Sequence, residues 1–330
     1  MRLAVPFKAA RAMAIAALST GASTAMPVAL AHACPAGPNA LGVSRTVAID
    51  ATGGPKFGSQ YPGNDFLKPK EVVLTFDDGP SAAKTPAILK ALADHCTKGT
   101  FFIVGRMALV EPDLLRQTLN AGHTIGLHTW SHKKLTHIPA DQAKHEIELG
   151  YSIVAKSLNV PIAPFFRFPY LAAPKSMLKH LGERNIATFG IDVDSKDFMT
   201  RKPSVMIKTV LTQLEKRGKG IILFHDIQRS TAAGLKTLLD ELKKRGYKVV
   251  HVTGSKPSPT IKAFDLRAEK MIAKRKVASA RKQKLFKPEF GPDSPAAQQN
   301  NTPEVLPWLT DKPTQPVRRP AAPEKQWWEF

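Results

Sequence analysis

Cysteine is scarce in this chain, and long apolar runs are confined to its beginning. Only two cysteines, Cys34 and Cys96, occur among 330 residues, which excludes a small scaffold held together by several disulfides. No apolar stretch of membrane-spanning length follows residue 33. We therefore expect the remaining chain to form a soluble protein with one large core.

The first 33 residues have the pattern of a secretion signal. Arg2, Lys8 and Arg11 precede a long uncharged run, and Ala31-His32-Ala33 matches a cleavage site. We expect residues 1–33 to be a signal peptide and the protein to be exported to the periplasm or the extracellular space; an uncleaved membrane anchor is the alternative. An oxidising compartment would allow a disulfide between Cys34 and Cys96, the alternative being one buried thiol and one free thiol.

Acidic residues are also few. The chain has 48 lysines and arginines against 27 aspartates and glutamates, which gives a formal net charge of +21. Such a charge favours association with anionic surfaces, including acidic cell-wall polymers, lipid headgroups and acidic glycans.

Apolar runs alternate with amphipathic segments through the middle of the chain. The strand candidates are rich in β-branched and aromatic residues, as strands buried on both faces are. They lie at residues 71–76, 100–105, 124–128, 164–168, 187–193, 220–225 and 248–252. Helical patterns lie at 84–95, 111–121, 140–158, 174–184, 203–217 and 231–245. This alternation predicts an α/β fold with a parallel sheet, and seven strands suggest a distorted, incomplete (β/α) barrel.

The composition changes on both sides of this region. Residues 34–70 have few long apolar runs and predict an N-terminal arm that wraps the barrel. Residues 254–330 begin with Pro257 and Pro259, continue with a lysine- and arginine-rich stretch, and end rich in proline, alanine and glutamine. They predict a basic, Pro-rich tail that is disordered or partly helical.

Two adjacent carboxylates, Asp77 and Asp78, stand where the first apolar run ends. Buried without partners they would repel each other and favour neutralisation. A metal ion would change this balance, because one carboxylate could ligate the ion while the other accepts a proton. Since Gly79 and Pro80 follow, the segment also has the pattern of an ordinary turn.

Two histidines, His128 and His132, follow another apolar run with a spacing of four residues. On one helical turn this spacing places both side chains on the same side, which suits two ligands of one ion. Two histidines and a carboxylate are a common catalytic zinc set. A chance pairing is the alternative, since the chain has ten histidines.

Three further polar clusters follow apolar runs. Arg167 comes after Phe165 and Phe166, Asp197 lies in a carboxylate-rich segment that begins at Ile191, and His225 ends the run that starts at Ile221. Five polar clusters at the downstream ends of five strands are hard to explain by packing alone.

These five segments, in this order, resemble the motifs of the polysaccharide deacetylase family, also called the NodB-homology domain or carbohydrate esterase family 4. The resemblance rests on T-F-D-D-G-P at 75–80, H-T-W-S-H at 128–132, R-F-P-Y at 167–170 and L-F-H-D at 223–226. It covers roughly residues 70–253 and implies that residues 71–253 form the catalytic domain, with the incomplete barrel that this family has.

The resemblance implies a metal centre and a general base. Asp78, His128 and His132 would hold a divalent metal, zinc by default, with cobalt and other ions left open. Asp77 would be the base that activates the attacking water, and Arg167 would pair with it and keep it ionised.

The resemblance also implies an acid and a substrate pocket. His225 would protonate the leaving amine, and Asp197 would orient it and favour its protonated form. The backbone N–H of Tyr170 would donate to the developing oxyanion. The substrate pocket would be lined by Leu223, Phe198 and Pro169.

The chain departs from the family pattern at two positions. Phe198 stands where tryptophan is usual, which keeps an apolar wall but removes the indole N–H. Leu127 stands where asparagine is common. Neither change replaces a ligand or a proton-transfer group, so both bear on substrate subsites rather than on chemistry.

The function implied is that of an exported, metal-dependent enzyme that removes N-acetyl groups from N-acetylglucosamine units of a polysaccharide, such as peptidoglycan or a chitin-like oligomer. The alternatives are an O-acetyl esterase acting on acetylated xylan and a glycan-binding or cell-wall-binding protein without catalysis. We expect a monomer, contact of the basic tail with an anionic wall or membrane surface, and no nucleic-acid partner.

Overall fold

The computed structural model describes residues 37–285, with side chains as far as residue 281. Its ten strands belong to one sheet in which every pairing is parallel. The strands are β1 (Arg45–Ile49), β2 (Lys56–Phe57), β3 (Glu71–Asp77), β4 (Thr100–Ile103), β5 (Thr124–Leu127), β6 (Phe165–Phe166), β7 (Ala187–Phe189), β8 (Val193–Asp194), β9 (Gly220–His225) and β10 (Lys248–Gly254).

The described part of the chain contains eight α-helices. They are α1 (Thr85–Asp94), α2 (Gly105–Val110), α3 (Pro112–Asn120), α4 (Ala140–Leu158), α5 (Lys175–Glu183), α6 (Pro203–Arg217), α7 (Arg229–Lys244) and α8 (Lys262–Leu285). None of the described helices is long and apolar enough to cross a membrane.

The central strand of the sheet is β3. It pairs with β9 through Val72–Asp77 and with β4 through Thr75–Asp77. Beyond β4 come β5, β6, β7 and β2, and beyond β9 comes β8. β3 also pairs with β10, which in turn pairs with β1. Within residues 37–285 the three end strands, β1, β2 and β8, do not pair with one another, so the sheet does not close. The predicted α/β fold with parallel strands is confirmed.

Both faces of β3 are buried, which explains its uninterrupted apolar run. Val72, Leu74 and Phe76 pack into the cluster that the helices cover. Val73 points to the other side, where it packs in a second cluster with Phe102 and other residues of the sheet interior. Alternate residues of one strand therefore fill two separate apolar layers.

The segment predicted as an arm contributes two strands to the sheet. Arg45–Ile49 pairs with β10 and Lys56–Phe57 pairs with β7. The single strand predicted at 187–193 is two short strands, because Gly190 and Ile191 donate to the arm instead. Their N–H groups reach the carbonyl oxygen of Phe57 and Oε1 of Gln60, both at 2.8 Å.

Of the two alternatives for the tail, disordered or partly helical, the helical one holds for residues 262–285, which form α8. Ala268 is fully buried against the core, and Phe264, Met271 and Ile272 pack on the same cluster. Their helical spacing forms one apolar stripe that faces α4. Lys156 of α4 adds an ion pair with Glu269 at 2.8 Å.

Three predictions fall wholly or partly outside the described residues. The signal peptide at 1–33 and the tail beyond residue 285 lie there entirely. Cys96 is disulfide-bonded and no described cysteine is free, but Cys34 is outside the described range, so its pairing with Cys96 stays a prediction.

Candidate active site

The residues singled out at the strand ends meet at one edge of the sheet. Asp77 is the last residue of β3 and His225 the last of β9, and the register places them side by side. His128 and Arg167 directly follow β5 and β6. Because the strands are all parallel, their carboxyl ends lie at the same edge.

Asp77 and Arg167 form a buried ion pair. Nη1 of Arg167 lies 2.8 Å from Oδ1 of Asp77, and the two residues are 0% and 2% exposed. The same Nη1 donates to Oγ1 of Thr75 at 2.7 Å. Burial lowers the pKa of Arg167, an effect that the neighbouring Asp77 charge opposes, and the guanidinium remains the natural partner of a buried carboxylate.

The remaining contacts of Arg167 fix its plane. Nη2 donates to the carbonyl oxygen of Gly190 at 3.0 Å, and Nε donates to that of Phe189 at 3.2 Å. The guanidinium carbon lies 4.3 Å from the centre of the Phe102 ring. Arg167 therefore presents one nitrogen to Asp77 while the others are held by the barrel interior.

Three potential metal ligands cluster beside this pair. One ligand atom from each of Asp78, His128 and His132 lies within 4.8 Å of the others. Nε2 of His132 is 3.2 Å and Nε2 of His128 is 3.5 Å from Oδ1 of Asp78. Two ligands about 2.1 Å from one ion, at a tetrahedral angle, would be roughly 3.4 Å apart.

The carboxylate oxygen of Asp78 and Nε2 of His128 both have a lone pair free to bind a metal ion. Oδ1 of Asp78 is buried and makes no hydrogen bond. Nδ1 of His128 lies 2.8 Å from the carbonyl oxygen of Arg167. Because a carbonyl only accepts, Nδ1 carries the proton and the lone pair of Nε2 faces Asp78. The donor set fits a divalent ion such as zinc.

Electrostatics favours the ligating forms. Burial lowers the pKa of His128 to about 4, so its imidazole is neutral at neutral pH. Burial raises the pKa of Asp78, but the close imidazole of His132 and the positive charge of His225 outweigh this and lower it overall. A neutral imidazole and an ionised carboxylate are the forms that bind a metal.

The expectation that one helical turn brings the two histidines together is wrong. Residues 128–132 form a loop, in which Thr129 and His132 have positive φ angles of 65° and 62°. Oγ1 of Thr129 accepts the N–H of His132 at 2.9 Å. Left-handed residues fold this loop back on itself, and the two imidazole centres are 5.0 Å apart.

Helix α4 holds this metal-ligand loop through Glu146. Its Oε2 accepts the N–H of Ser131 at 2.8 Å, and its Oε1 accepts the Ser131 hydroxyl at 2.7 Å. The carbonyl oxygen of Glu146 also accepts the N–H of Trp130 at 2.8 Å. Glu146 is 3% exposed, so the loop next to His132 is fixed by a buried carboxylate.

Asp197 and His225 form the second buried pair of the site. Oδ1 of Asp197 lies 2.7 Å from Nδ1 of His225, and its Oδ2 accepts the backbone N–H of His225 at 2.7 Å. Thr231 donates to Oδ2, and Ser230 donates to the Asp197 carbonyl. These bonds leave Asp197 fully buried and fixed.

The charge of Asp197 makes His225 a strong base. Burial lowers the pKa of His225, but the charge and hydrogen bond of Asp197, together with Asp78 and Asp77, raise it overall to about 10. A divalent ion beside these carboxylates would lower it again. The pairing with Asp197 favours the protonated form of His225.

Asp226 lies beneath the turn that carries Asp78. Its Oδ2 accepts the hydroxyl of Thr85 at 2.7 Å, and a Cβ at Gly79 would come within 2.0 Å of the same oxygen, so only glycine fits there. Burial raises the pKa of Asp226 to about 7, and the charges of Asp78 and Asp77 act in the same direction.

Two exposed aromatic rings lie beside the histidines of this centre. The Tyr170 ring is 4.9 Å from that of His132 and 55% exposed, and the Phe198 ring is 5.6 Å from that of His225 and 54% exposed. Leu223 and Pro169 are buried. Tyr170 has a positive φ of 59°, which turns its backbone away from the preceding strand direction.

Several residues of the site were missed by the sequence analysis. Glu146 and Thr231 are brought to the site by helices, and Thr75 by its place beside Asp77 on β3. A carboxylate inside an otherwise apolar helix face is the signal that could have found Glu146. The threonines leave no signal of this kind.

The chain is similar to polysaccharide deacetylases over part of its length. Residues 65–188 match the family model described as polysaccharide deacetylase, a range that ends before Asp197 and His225. A Bdellovibrio bacteriovorus peptidoglycan deacetylase of known structure shares 34% sequence identity with a TM-score of 0.59, over 65% of this chain and 60% of that one.

Curated relatives are similar over part of the chain. The peptidoglycan-N-acetylglucosamine deacetylase PgdA of Listeria monocytogenes is 32% identical over 183 residues, which make up 56% of this chain and 38% of that protein. The chitooligosaccharide deacetylase of Azorhizobium caulinodans is 30% identical over 155 residues, 47% of this chain and 73% of that protein. The chain thus spans well under half of the Listeria protein.

Proposed function

Because this chain belongs to the polysaccharide deacetylase family, we propose that it is an exported, metal-dependent hydrolase. It removes N-acetyl groups from N-acetylglucosamine units of a polysaccharide and releases acetate and a free amine. The observation that carries the proposal is the convergence of one ligand triad and two buried pairs, Asp77 with Arg167 and Asp197 with His225, at one sheet edge.

The proposed metal ligands are Asp78, His128 and His132. A divalent ion held there, zinc by default, would supply Lewis acidity and lower the pKa of water. Cobalt or another divalent ion would suit the same ligands. The hydrogen bond from His128 to the Arg167 carbonyl holds the imidazole in the orientation that ligation needs.

Asp77 is the proposed general base. Its Oδ1 is occupied by Arg167, while its Oδ2 lies 3.9 Å from Nε2 of His128 and so faces the ligand triad. Arg167 stabilises the carboxylate in its ionised form, which a base must have before it takes a proton from the attacking water.

His225 is the proposed general acid. Asp197 holds Nδ1, so Nε2 is the nitrogen available to give a proton to the leaving amine. Its position beside Asp77 across β3 and β9 supports the assignment, because acid and base must both be near the acetamide. Asp77 has a cationic partner and suits the role of base, whereas His225 has an anionic partner and suits the role of acid.

The proposed substrate contacts come from the loops around the site. The backbone N–H of Tyr170 donates to the developing oxyanion, which typically supplies a few kcal/mol. Leu223 and Pro169 line the acetyl pocket, and the exposed ring of Phe198 offers a surface for a sugar.

The names of the relatives support peptidoglycan and chitooligosaccharides as candidate substrates. An O-acetyl ester such as acetylated xylan is the second candidate, because the same groups can hydrolyse an ester, which needs less help from an acid. The third, a glycan-binding protein without catalysis, is disfavoured by the complete set of proton-transfer and ligand groups.

A second proposed contact is with an anionic surface of the wall or the membrane. The second half of α8, from residue 273 to 281, is exposed throughout and carries Lys274, Arg275, Lys276 and Arg281. Its charge supports electrostatic attachment rather than insertion, since Val277 is its only apolar side chain larger than alanine. We propose a monomer with no nucleic-acid partner.

Acetate release tests the proposed reaction. Purified protein is incubated with N-acetyl chitooligosaccharides, peptidoglycan and acetylated xylan, each with added zinc and after chelation. We expect chelator-sensitive release from an N-acetylglucosamine polymer, and loss of release from it in His225→Ala.

The other outcomes separate the alternatives. Release from xylan alone, retained in His225→Ala, would establish the esterase. Polymer binding with bound metal and no release from any polymer would establish the non-catalytic protein.

A further inference from the structure

A ring of cationic side chains borders the edge of the sheet that carries the site. It lies on the segments that run from each strand end to the first residue of the next helix. Six of its members are exposed or half-exposed and form no ion pair among the described residues. We call them the cationic rim: Lys84, Lys134, Lys175, Lys196, Lys202 and Arg229.

Acidic side chains are almost missing from these segments. Within the described chain, the strand-to-helix segments at this edge contain only Asp78, Asp197 and Asp226. The first belongs to the ligand triad, and the other two are fully buried. Asp194, the last residue of β8, lies beside Lys196 and accepts its backbone N–H at 2.9 Å. The other rim residues of the described chain have no exposed acid on their own segments.

Four rim residues stand at helix N-termini, where a positive charge is unfavourable. α1 and α6 have lysine at their N-caps, and α5 and α7 have lysine and arginine as first residues; none of the four has an acid in its first turn. A helix N-terminus stabilises anions and disfavours cations. Helix stability does not explain these residues, and the partial charges of the helix ends add to the positive field.

The opposite edge of the sheet carries paired as well as unpaired cations. There Arg45 pairs with Glu71 at 2.6 Å, Lys219 with Asp65 at 2.6 Å and Arg217 with Asp192 at 3.3 Å. Lys68, Lys70 and Lys248 at the same edge form no ion pair among the described residues. The six unpaired rim charges lie on the segments that border the proposed substrate site.

We propose that the substrate is an N-acetylated glycan that carries carboxylates along its chain, and that the cationic rim selects it over neutral N-acetylglucosamine polymers. This inference rests on the proposed function. Repeated charges on an extended polymer meet several rim residues at once, so selection arises mainly in association and weakens with salt.

Two soluble derivatives of one backbone test the proposal. Carboxymethyl chitin is anionic and glycol chitin is neutral. At low salt, we expect kcat/KM for acetate release to be about tenfold higher on the anionic polymer. Raising the sodium chloride concentration about tenfold should remove most of that advantage, with less than about a twofold change on the neutral polymer.

Matched triple variants locate the effect. Lys175→Gln, Lys202→Gln and Arg229→Gln together should lower kcat/KM about tenfold on carboxymethyl chitin, through KM, and leave kcat unchanged. Lys208→Gln, Lys216→Gln and Lys243→Gln remove the same charge from exposed sites on α6 and α7 away from the rim and should change it less than about twofold. The rim variant should unfold no more easily than the parent, because its helix ends lose an unfavourable charge.

The outcomes separate the selection of the substrate by charge from the proposed deacetylase function. Equal kcat/KM and equal salt response on both polymers, or equal effects of the two triple variants, would overturn the selection by charge. No acetate from either polymer would overturn the proposed function instead.

Discussion

Removing the Glu146 side chain should loosen the metal-ligand loop more than it destabilises the fold. In Glu146→Ala the N–H and the hydroxyl of Ser131 both lose their acceptor, each now at 2.7–2.8 Å from a buried carboxylate oxygen. Ser131 directly precedes the ligand His132. The loop then keeps its left-handed turn only through Thr129 and the Trp130 contact to the α4 backbone.

The size of the effect follows from these two bonds. Hydrogen bonds to a charged group contribute about 1.5–3 kcal/mol each, and part of this energy would be lost from the fold and part from metal binding. Outer partners of metal sites typically change affinity by about 10–100-fold. We expect the zinc dissociation constant of Glu146→Ala to rise within that range, and that of Glu146→Gln, which keeps one acceptor, to rise less.

Glu148 provides the matched control. It is equally buried on the same helix but pairs with His180 at 2.7 Å and Arg184 at 2.9 Å on the side of α5. Glu148→Ala should destabilise the metal-free protein by a similar amount and leave the zinc dissociation constant within about twofold.

Competition with a chromophoric chelator measures the affinity, and urea unfolding in excess chelator measures the stability of the metal-free fold. If Glu146→Ala and Glu148→Ala bind zinc equally well, the reasoning about the loop is refuted. Should the alanine variant fail to fold, an unchanged affinity in Glu146→Gln would count against it in the same way.

Three further predictions concern ion pairs, two at the site and one, between Arg45 and Glu71, at the opposite edge of the sheet. Asp197→Asn should lower the pKa of His225 from about 10 toward or below 6.5 in metal-free protein, because the main negative charge beside the imidazole is removed. NMR titration of the imidazole measures this pKa, with Asp194→Asn as the control. An unchanged pKa in Asp197→Asn would contradict the role of Asp197 as the partner that favours protonated His225. Arg45 lowers the pKa of Glu71 from 4.5 to about 2 against the opposing effect of burial, so this pair stabilises the fold fully above pH 4.5 and the stabilisation is lost as the pH falls toward 2. Because the Arg45 side chain is 32% exposed, we expect the pair to contribute about 2 kcal/mol to the free energy of unfolding at neutral pH. Between pH 7 and pH 3, urea unfolding should show a smaller loss of stability for Glu71→Gln than for the parent protein. An equal loss in the two proteins would contradict this contribution of the ion pair. Arg167→Lys keeps the charge but gives up the contacts with Phe189 and Gly190, so unfolding should become easier by about 2–4 kcal/mol, which unchanged urea midpoints would disprove.

The fold was predictable wherever one strand carries one uninterrupted apolar run. The runs that become β3 and β9 are buried on both faces and end at Asp77 and His225, so sequence and structure agree closely there. The two-residue strand β2 has too little apolar sequence to stand out, and its place is set by the pairing of Lys56–Phe57 with β7.

The tail shows a different limit of sequence reasoning. Its abundant lysines and arginines conceal the apolar stripe of α8, whose members count only because α4 offers a surface to cover them. Composition measures the average polarity of a segment, whereas docking depends on one face of it.

The site was predictable in its residues and less so in its support. Asp78 and His128 directly follow β3 and β5, so the parallel sheet brings them together. The conformation that joins the two histidines depends on left-handed residues and on Glu146, which is 14 residues beyond His132 in the chain. Contacts of this kind arise only from tertiary packing.

Acetate release by Asp77→Ala at matched metal content tests the central claim most directly. The account predicts that this variant still binds one divalent ion per chain through Asp78, His128 and His132, because Asp77 is not a proposed ligand. It also predicts that release from an N-acetylglucosamine polymer falls by at least about 10²-fold, the low end for loss of a general base. Near-normal release with the ion bound would contradict the assignment of Asp77 as the base and the mechanism built on it.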